Sequence, residues 1–541
     1  MAELECLPFG VGQHSEGICL QVRLGPYWLL LDCGLKDLRD LIAVNKSVRW
    51  AGLMCSHAHN DHGRSIPSLH AIAPEMPIYT SEVTAKLLPL IWSAPYLPTD
   101  EFLVPLAWGI PYQIQPDLFV QILPSGHLPG AASFLLSYEA SDRKYTILYT
   151  GDFFLSNSRL TEGLSIEHFR GLMPDVLIVE GSFGVDRHPH RRKQENLLVA
   201  TILQALAAER SVLLPVPKLG LGQEILMLLR SHHQFTGKDI DIWVDNQVGL
   251  GCDRYLEILD YLPNSVQNFA QHQSLFWDYK VRPRIGHLAS TNLTDLGKPS
   301  VVLADRDTDW YSWLQSTPHQ WLVLDCADEE YMMPLRVDLE TDRIIYQTYL
   351  LAEHSDVAGT AQLIHNLKPQ HVVFVHGSPS RLSDLANLEE LSNRYHVHCA
   401  SAGKKIELPV GSSLNAAVAG SDRKDAEVLS PYEGELAELD STVMLTLPIE
   451  ITEDRRWLNF ADTGLVEAKW QGDNLVIRGI SQRELLNAET LSATSSVRSC
   501  VNCRFYRDQH CQNRESPLRW LRVNADGYCP AFQADADKFK R

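Results

Sequence analysis

Short apolar runs broken by Gly and Pro set the rhythm of this chain. Runs at 18–24 and 28–32 flank Gly25-Pro26, and the second ends in LLLDCG, so they predict paired strands closing at a Gly-marked turn. A small apolar run at 50–55 predicts a buried strand, and 76–79, 118–123 and 144–149 continue the series with helical segments between. Residues 174–180, PDVLIVE, read as another buried strand that stops at Gly181. From about residue 186 the pattern alternates. A long amphipathic helix at 190–209 leads to a strand at 212–215, a helix at 222–232, a strand at 240–244 and a helix at 251–262. Strands at 300–304 and 321–324 follow. Such alternation predicts an α/β layer with a parallel sheet. Strands at 343–350, 371–375 and 396–399 then return, with helices at 357–367 and 382–394.

Beyond residue 410 the apolar pattern weakens. Residues 411–440 are small and polar and read as a linker. Three apolar stretches, LTLPIEI, GLVEAKW and NLVIRGI, predict a small β unit over 441–485, and 486–497 is a second linker. No internal repeat or low-complexity tract is visible.

Composition narrows the class. At 541 residues the chain exceeds what one core holds, and 45% apolar content is that of a globular protein. No run of eighteen apolar residues appears, so no spanning helix and no membrane partner are expected. MAELECLPFG lacks the basic start and apolar core of a signal peptide. Cys6, Cys19, Cys33, Cys55, Cys252, Cys326 and Cys399 are scattered, several in apolar runs, and read as reduced thiols of a cytoplasmic protein. The net charge of −19 argues against a generally basic nucleic-acid coat. It is uneven, however: residues 498–541 carry nine Lys/Arg against five Asp/Glu, which leaves −23 on residues 1–497.

The chemistry starts at residues 57–62, HxHxDH, after the apolar run. His57 and His59 alternate, so both point the same way from extended backbone, while Asp61 and His62 turn toward a second ion. Imidazole nitrogen and carboxylate oxygen suit zinc, and a catalytic metal pair needs such a split donor set. The same arrangement of strand end, nearby Gly and metal-competent side chain recurs at His127 in SGHLPG, Asp152 in YTGD and His376 in FVHG. A carboxylate at Asp152 can serve two ions at once.

HxHxDH at 57–62, GHLPGAA at 126–132 and TGD at 150–152 resemble, in that order, the metallo-β-lactamase fold, two mixed sheets between helices with a dinuclear zinc site at one edge. Glu180 in VLIVEGSFG, His354 in AEHSD and His376 in VHG resemble three further motifs of its β-CASP nuclease branch. Arg191-Arg192-Lys193 sits where that branch's cap domain begins. The resemblance covers about residues 1–410. It implies an αββα metallo-β-lactamase sandwich over 1–185 and 346–410, with an inserted α/β β-CASP cap over 186–345. It also implies one zinc on His57, His59 and His127, a second on Asp61, His62 and His376, and Asp152 with a hydroxide bridging them. Glu180 and His354 are implied as a hydrogen-bonded pair near the leaving oxygen, with His354 supplying or positioning a proton, and Asp61 counts with them as catalytic. RNA-processing members carry His at the last motif where DNA-repair members carry Val, so His376 favours RNA.

Three departures fall near the expected RNA path. Leu221 stands where the branch's PxFAxGRxQE stretch has Arg, although Lys218 offers charge nearby. The acidic stretch DCADEE at 325–330 stands where the branch has a Gly-rich one, and Ser378 replaces a Glu.

Cys500-x2-Cys503-x7-Cys511-x17-Cys529 forms a separate module over 498–541. Its spacing predicts one further zinc or an iron–sulfur cluster on four thiolates. Arg504, Arg507 and Arg519, interleaved with Phe505, Tyr506 and Trp520, can track phosphates and stack bases; a contact for a protein partner is the other reading. The expected function is a zinc-dependent phosphodiesterase acting on RNA as an endonuclease or a 5′ exonuclease. Its rivals are a DNA nuclease of the same branch and a metal-bound scaffold for RNA or protein. The small β unit is open to dimerisation or substrate contact.

Overall fold

The computed structural model describes residues 3–12, 16–45, 48–92, 102–288, 296, 298–317, 319–327, 343–411, 435–439, 442–446, 466–471, 474–479, 503–507, 510–513 and 533. They fall into two units, 1–423 and 424–541. In the first unit, one seven-stranded sheet runs in the order Ile406–Glu407, Leu4–Val11, Ile18–Leu24, Tyr27–Leu31, Trp50–Met54, Ile78–Ser81, Leu103–Leu106. Its first three pairings are antiparallel and its last three parallel. A second sheet runs His396–Cys399, His371–Val375, Val176–Glu180, Lys144–Tyr149, Ala132–Glu139, Leu118–Pro124, Tyr112–Gln115 and is mixed as well.

The two sheets bury their inner faces against each other. Leu20, Val22, Leu29, Leu31 and Met54 meet Val120, Phe134, Leu136, Ile147, Tyr149 and Ile178. Outside the second sheet, Leu148, Leu177, Val372 and Phe374 pack on Leu363, Ile364 and Leu367 of the helix Val357–Leu367 and on Leu382 and Leu385 of the helix Pro379–Ala386. Outside the first, Leu30, Leu53 and Ile78 pack on Ile66 and Leu69 of the helix Ile66–Ile72 and on Val83 and Leu87 of the helix Glu82–Leu87. The other sheet on one face and helices on the other explain why strands such as Val176–Glu180 are buried at every position and show no alternation.

The inserted segment builds a third sheet, six strands all parallel, in the order Arg284–His287, Asp241–Val244, Val301–Asp305, Arg210–Val216, Gln320–Cys326, Ile344–Tyr349. Its helix Arg191–Ala207 buries the expected stripe at 191, 194, 195, 198, 199, 202 and 205, but the first turns of that stripe are polar. Those polar groups tie cap to sandwich. Gln194 Oε1 accepts from Ala352 N (2.7 Å), Arg191 Nη1 donates to Ala352 O, and Glu195 pairs with Arg159 (2.6 Å). Buried Glu224, on the helix Leu221–Ser231, accepts from Ser158 Oγ, Arg159 N and Leu160 N, each at 2.8 Å.

Several elements differ from the sequence reading. Ala132–Glu139 is a central strand where a helical segment was expected; Ala, Ser and Leu have little β preference, and burial on both faces decides. The helix expected at 251–262 begins at Asn246, capped by Asp245 accepting from Val248 N (2.8 Å). The helix expected at 382–394 is two, Pro379–Ala386 and Glu389–Ser392, separated at extended Leu388. The cap sheet takes the whole strand Ile344–Tyr349. In the second unit, Glu435–Leu439 lies in the stretch read as linker and pairs with Thr442–Thr446, while Val466–Gln471 pairs with Asn474–Gly479. A short hairpin joins Tyr506–Arg507 to His510–Cys511. The linker 486–497, Cys500, Cys529, Arg519, Trp520 and residues 328–330 of the acidic stretch lie outside the described residues.

Candidate metal centre

Four strand ends converge on one pocket. His57 and His59 follow the strand Trp50–Met54, and His59 precedes a single helical turn, Asn60–Gly63, that carries Asp61 and His62. The loop expected up to Ser65 is therefore helical in part, and this turn brings His62 against His57 (ring centroids 4.0 Å apart) and Asp61 against His376 (3.1 Å). It needs a glycine opposite: a Cβ on Gly34 would lie 1.5 Å from Asp61 O. His127 and Asp152 follow Leu118–Pro124 and Lys144–Tyr149, and His376 follows His371–Val375 with a left-handed φ of 54°. A histidine held there is backbone strain concentrated at a site.

Asp152 Oδ2 is the common point. It lies 3.1 Å from His62 Nε2, 3.4 Å from His57 Nε2, 3.7 Å from His376 Nε2 and 3.9 Å from His127 Nε2. His59 Nδ1 stands 3.2 Å from His127 Nε2, and Asp61 Oδ2 lies 3.1 Å from His376 Nε2 and 3.5 Å from His62 Nε2. The HxHxDH positions fall, among the described residues, into two donor groups, His57–His59–His127–Asp152 and Asp61–His62–His376, and a further set, Asp152–Glu180–His354–His376, adjoins them; in each the ligand atoms lie within 4.8 Å of one another. Among the described residues, both Asp152 oxygens and the Nε2 atoms of His57 and His62 are buried without a hydrogen bond. Leaving a buried charge uncompensated costs several kcal/mol even after relaxation, against a total stability of about 5–15 kcal/mol. Nitrogen and oxygen donors in this number fit a metal such as zinc.

The outer atoms of the rings decide which nitrogen faces inward. His62 Nδ1 donates to Asp32 Oδ2 (2.8 Å), His127 Nδ1 to Glu353 O (3.0 Å) and His376 Nδ1 to Ser182 Oγ (3.0 Å). Ser56 Oγ gives its proton to Asp32 (2.7 Å) and so accepts from His57 Nδ1 (3.0 Å). Each ring thus presents an unprotonated Nε2 to the pocket, the tautomer a metal ligand requires. Asp32, fully buried, also accepts from Ser56 N (2.6 Å) and Tyr149 OH (2.6 Å). The sequence reading saw Asp32 only as part of a turn, although an acid closing an apolar strand was its visible signal.

Charge follows the same logic. Burial and the neighbouring His62 push His57 well below its usual range, and burial with His354 does the same to His127. Burial also opposes charge on His62, yet Asp152, Asp61 and Asp32 together hold it well above its usual range. Burial works against Asp152 and Asp61 too, but the facing histidines win and keep both carboxyls low. The pocket favours positive charge, which a metal cation held there would supply in place of protons.

Beside the cluster, His354 Nδ1 lies 3.0 Å from each oxygen of Glu180. Glu180 also accepts from Phe153 N (2.8 Å) and from Ser182 Oγ. Ser182 therefore links this pair to His376. From the cap, Gly220 approaches the cluster: with φ +92°, its Cβ position is 3.3 Å from His59 Nε2 and 3.6 Å from Glu353 Oε1.

Other sequence candidates stand apart. Lys218 lies on the loop before Gly220, where its charge opposes the burial that raises Asp305. Leu221 is fully buried in the core. Ser378 caps the helix Pro379–Ala386, accepting from Arg381 N. In the second unit, Cys503 and Cys511 are buried, and Arg504 covers the Phe505 ring at 4.6 Å. Arg507 is exposed on its hairpin strand.

Residues 347–400 match the family model described as the Zn-dependent metallo-hydrolase RNA specificity domain. The chain is 45% identical to the uncharacterized protein sll0514 of Synechocystis over 99% of its own length and 98% of that protein's. It is 29% identical to Probable RNase MJ4 of Methanocaldococcus jannaschii over 40% of this chain and 54% of that one, and 24% identical to RNase aCSPSF2 of Saccharolobus solfataricus over 74% and 84%. Among the described residues no helix is long and apolar enough to cross a membrane. With an αββα sandwich, an inserted parallel cap and a buried His/Asp cluster at the sheet ends, the chain belongs to the metallo-β-lactamase β-CASP nuclease family.

Proposed function

We propose that this protein is a zinc-dependent phosphodiesterase that hydrolyses RNA, as an endonuclease or a 5′ exonuclease. The observation that carries this is Asp152, a buried carboxylate whose Oδ2 is within 3.9 Å of rings from both donor groups, next to the Glu180–His354 pair. The naming of two relatives as RNases and the RNA-specificity description matched at 347–400 support RNA over DNA, as does His376 in the last motif.

In this reading His57, His59 and His127 hold one zinc and Asp61, His62 and His376 the other, with Asp152 shared. Zinc bound there supplies Lewis acidity toward water and phosphoryl oxygens. Glu180 accepts from His354 Nδ1 and so fixes that ring, which leaves Nε2 to hold the proton that the departing oxygen needs. Asp32, Ser56, Ser182 and the Glu353 carbonyl lock the ligand rings before substrate arrives. Cys500, Cys503, Cys511 and Cys529 are assigned a further zinc or an iron–sulfur cluster, in a cytoplasmic protein.

The test is parallel digestion of matched RNA and DNA oligonucleotides by metal-replete protein, with elemental analysis of the same sample. Metal-dependent cleavage of RNA is expected. Cleavage of DNA alone points to the repair-type rival, and cleavage of neither by fully loaded protein leaves the scaffold reading.

A further inference from the structure

The C-terminal edge of the cap sheet carries a feature that the metal cluster does not use. At its edge strand, His287 stacks on Trp277 with ring centroids 3.7 Å apart and planes 30° from parallel. Tyr279, 59% exposed, accepts from His287 N through its hydroxyl (3.3 Å). Trp277 Nε1 donates to Asp253 Oδ1 (2.7 Å), which fixes the indole. Lys280 and Arg282 follow in sequence and are exposed, Arg282 reaching Asp239 at 3.5 Å near the start of the neighbouring strand. The segment 277–287 reads WDYKVRPRIGH, aromatics interleaved with cations, the composition of single-strand binding surfaces.

Position ties this patch to the cluster. In the parallel register His287 is level with Val244, Leu303 and Leu214, so it lies on the same edge of the sheet as the loop following Val216. That loop ends at Gly220, against His59. Between the two, Gly251 presses on Lys218 (Cβ position 2.1 Å from Lys218 O) and Gly249 lies under the stack (3.4 Å from His287 Nδ1). Three strand intervals separate Arg284–His287 from Arg210–Val216, about 14 Å at ~4.8 Å each. Open parallel sheets bind ligands at this edge.

We propose that the Trp277–His287 stack, with Tyr279 beside it, is a base-stacking subsite for single-stranded RNA, lying a few nucleotides from the metal cluster along the C-terminal edge of the cap sheet. It rests on the RNA reading above. Exposed rings stack on any base, so the subsite favours length over sequence.

The experiment is fluorescence anisotropy with the full chain in chelator, which stops cleavage, using labelled single-stranded RNA of two and of about ten nucleotides. Tyr279→Ser and His287→Ala alter exposed side chains and Trp277→Ala removes the half-buried one, with melting curves reporting on folding. Each stacked base lost weakens binding by about tenfold, so the longer RNA should bind at least that much more weakly to the variants while the dinucleotide is unaffected. Equal affinity of wild type and folded variants for the longer RNA overturns the subsite and leaves the RNA reading standing. Wild type that neither binds RNA nor cleaves it when metal is restored removes both. If the variants instead dissolve a dimer without changing RNA affinity, the rings are a protein contact and the proposal falls.

Discussion

Ser182 Oγ lies 3.0 Å from His376 Nδ1 and donates its own proton to Glu180. One hydroxyl thus sets the tautomer of a candidate ligand and helps hold the acid of the neighbouring pair. Ser182→Ala should lower metal affinity and turnover by about 10–100-fold while the chain stays folded, the usual cost of a lost outer partner. Cleavage rates titrated against zinc would check this; an unchanged zinc dependence would contradict it.

Asp152→Ala and His59→Ala should abolish cleavage. Asp152 faces both donor groups, so its loss should deplete two ions in elemental analysis, whereas His59 belongs to one group and should deplete one. Full metal content in Asp152→Ala would place the ions elsewhere.

Glu180→Gln and His354→Ala should retain metal and lose about 10²–10⁴-fold in rate, the range for a positioned proton donor. An RNA with a better leaving group should recover part of the loss in both variants, and equal loss on both substrates would assign them a purely structural role.

His398 offers a pH test away from the cluster. Burial, then the facing His371 and His396, lower it from 6.5 to about 4. The unfolded ring takes up its proton near 6.5 while the folded one waits until about 4. The unfolded chain therefore holds more protons across that window, and stability should fall as pH drops through it. His398→Asn should flatten that part of the melting-temperature profile, measured in chelator. A profile unchanged from wild type would mean the ring titrates normally.

The site was readable because its ligands sit at strand ends next to glycines, in short local patterns: HxHxDH, SGHLPG, YTGD and FVHG. Local pattern also gave most strands. It failed at Ala132–Glu139, where Ala, Ser and Leu are held in a strand by neighbours on both sides, and at Asn246, where the helix starts on the carboxylate of Asp245 instead of on an apolar period. It could not reveal what Asp32 or Ser182 bonds, since those partners become neighbours only when segments far apart in sequence meet. Glu224 was visible within a motif, but its three bonds to residues 158–160 were not.

The outermost strand of the first sheet, Ile406–Glu407, pairs with Leu4–Val11, and Lys405 reaches Glu5 at 3.1 Å. Those partners are 400 positions apart along the chain. A ribosome adding about 5–20 residues per second needs roughly 20–80 s to supply the second after the first. For that interval the edge of Leu4–Val11 lacks its last partner, and the cap, a parallel sheet of local βα units, is synthesised before the strands that complete the sandwich. The nascent protein must keep an unpaired N-terminal edge from finding another chain, so its yield should depend on synthesis speed and chaperone supply more than on the stability of the finished fold.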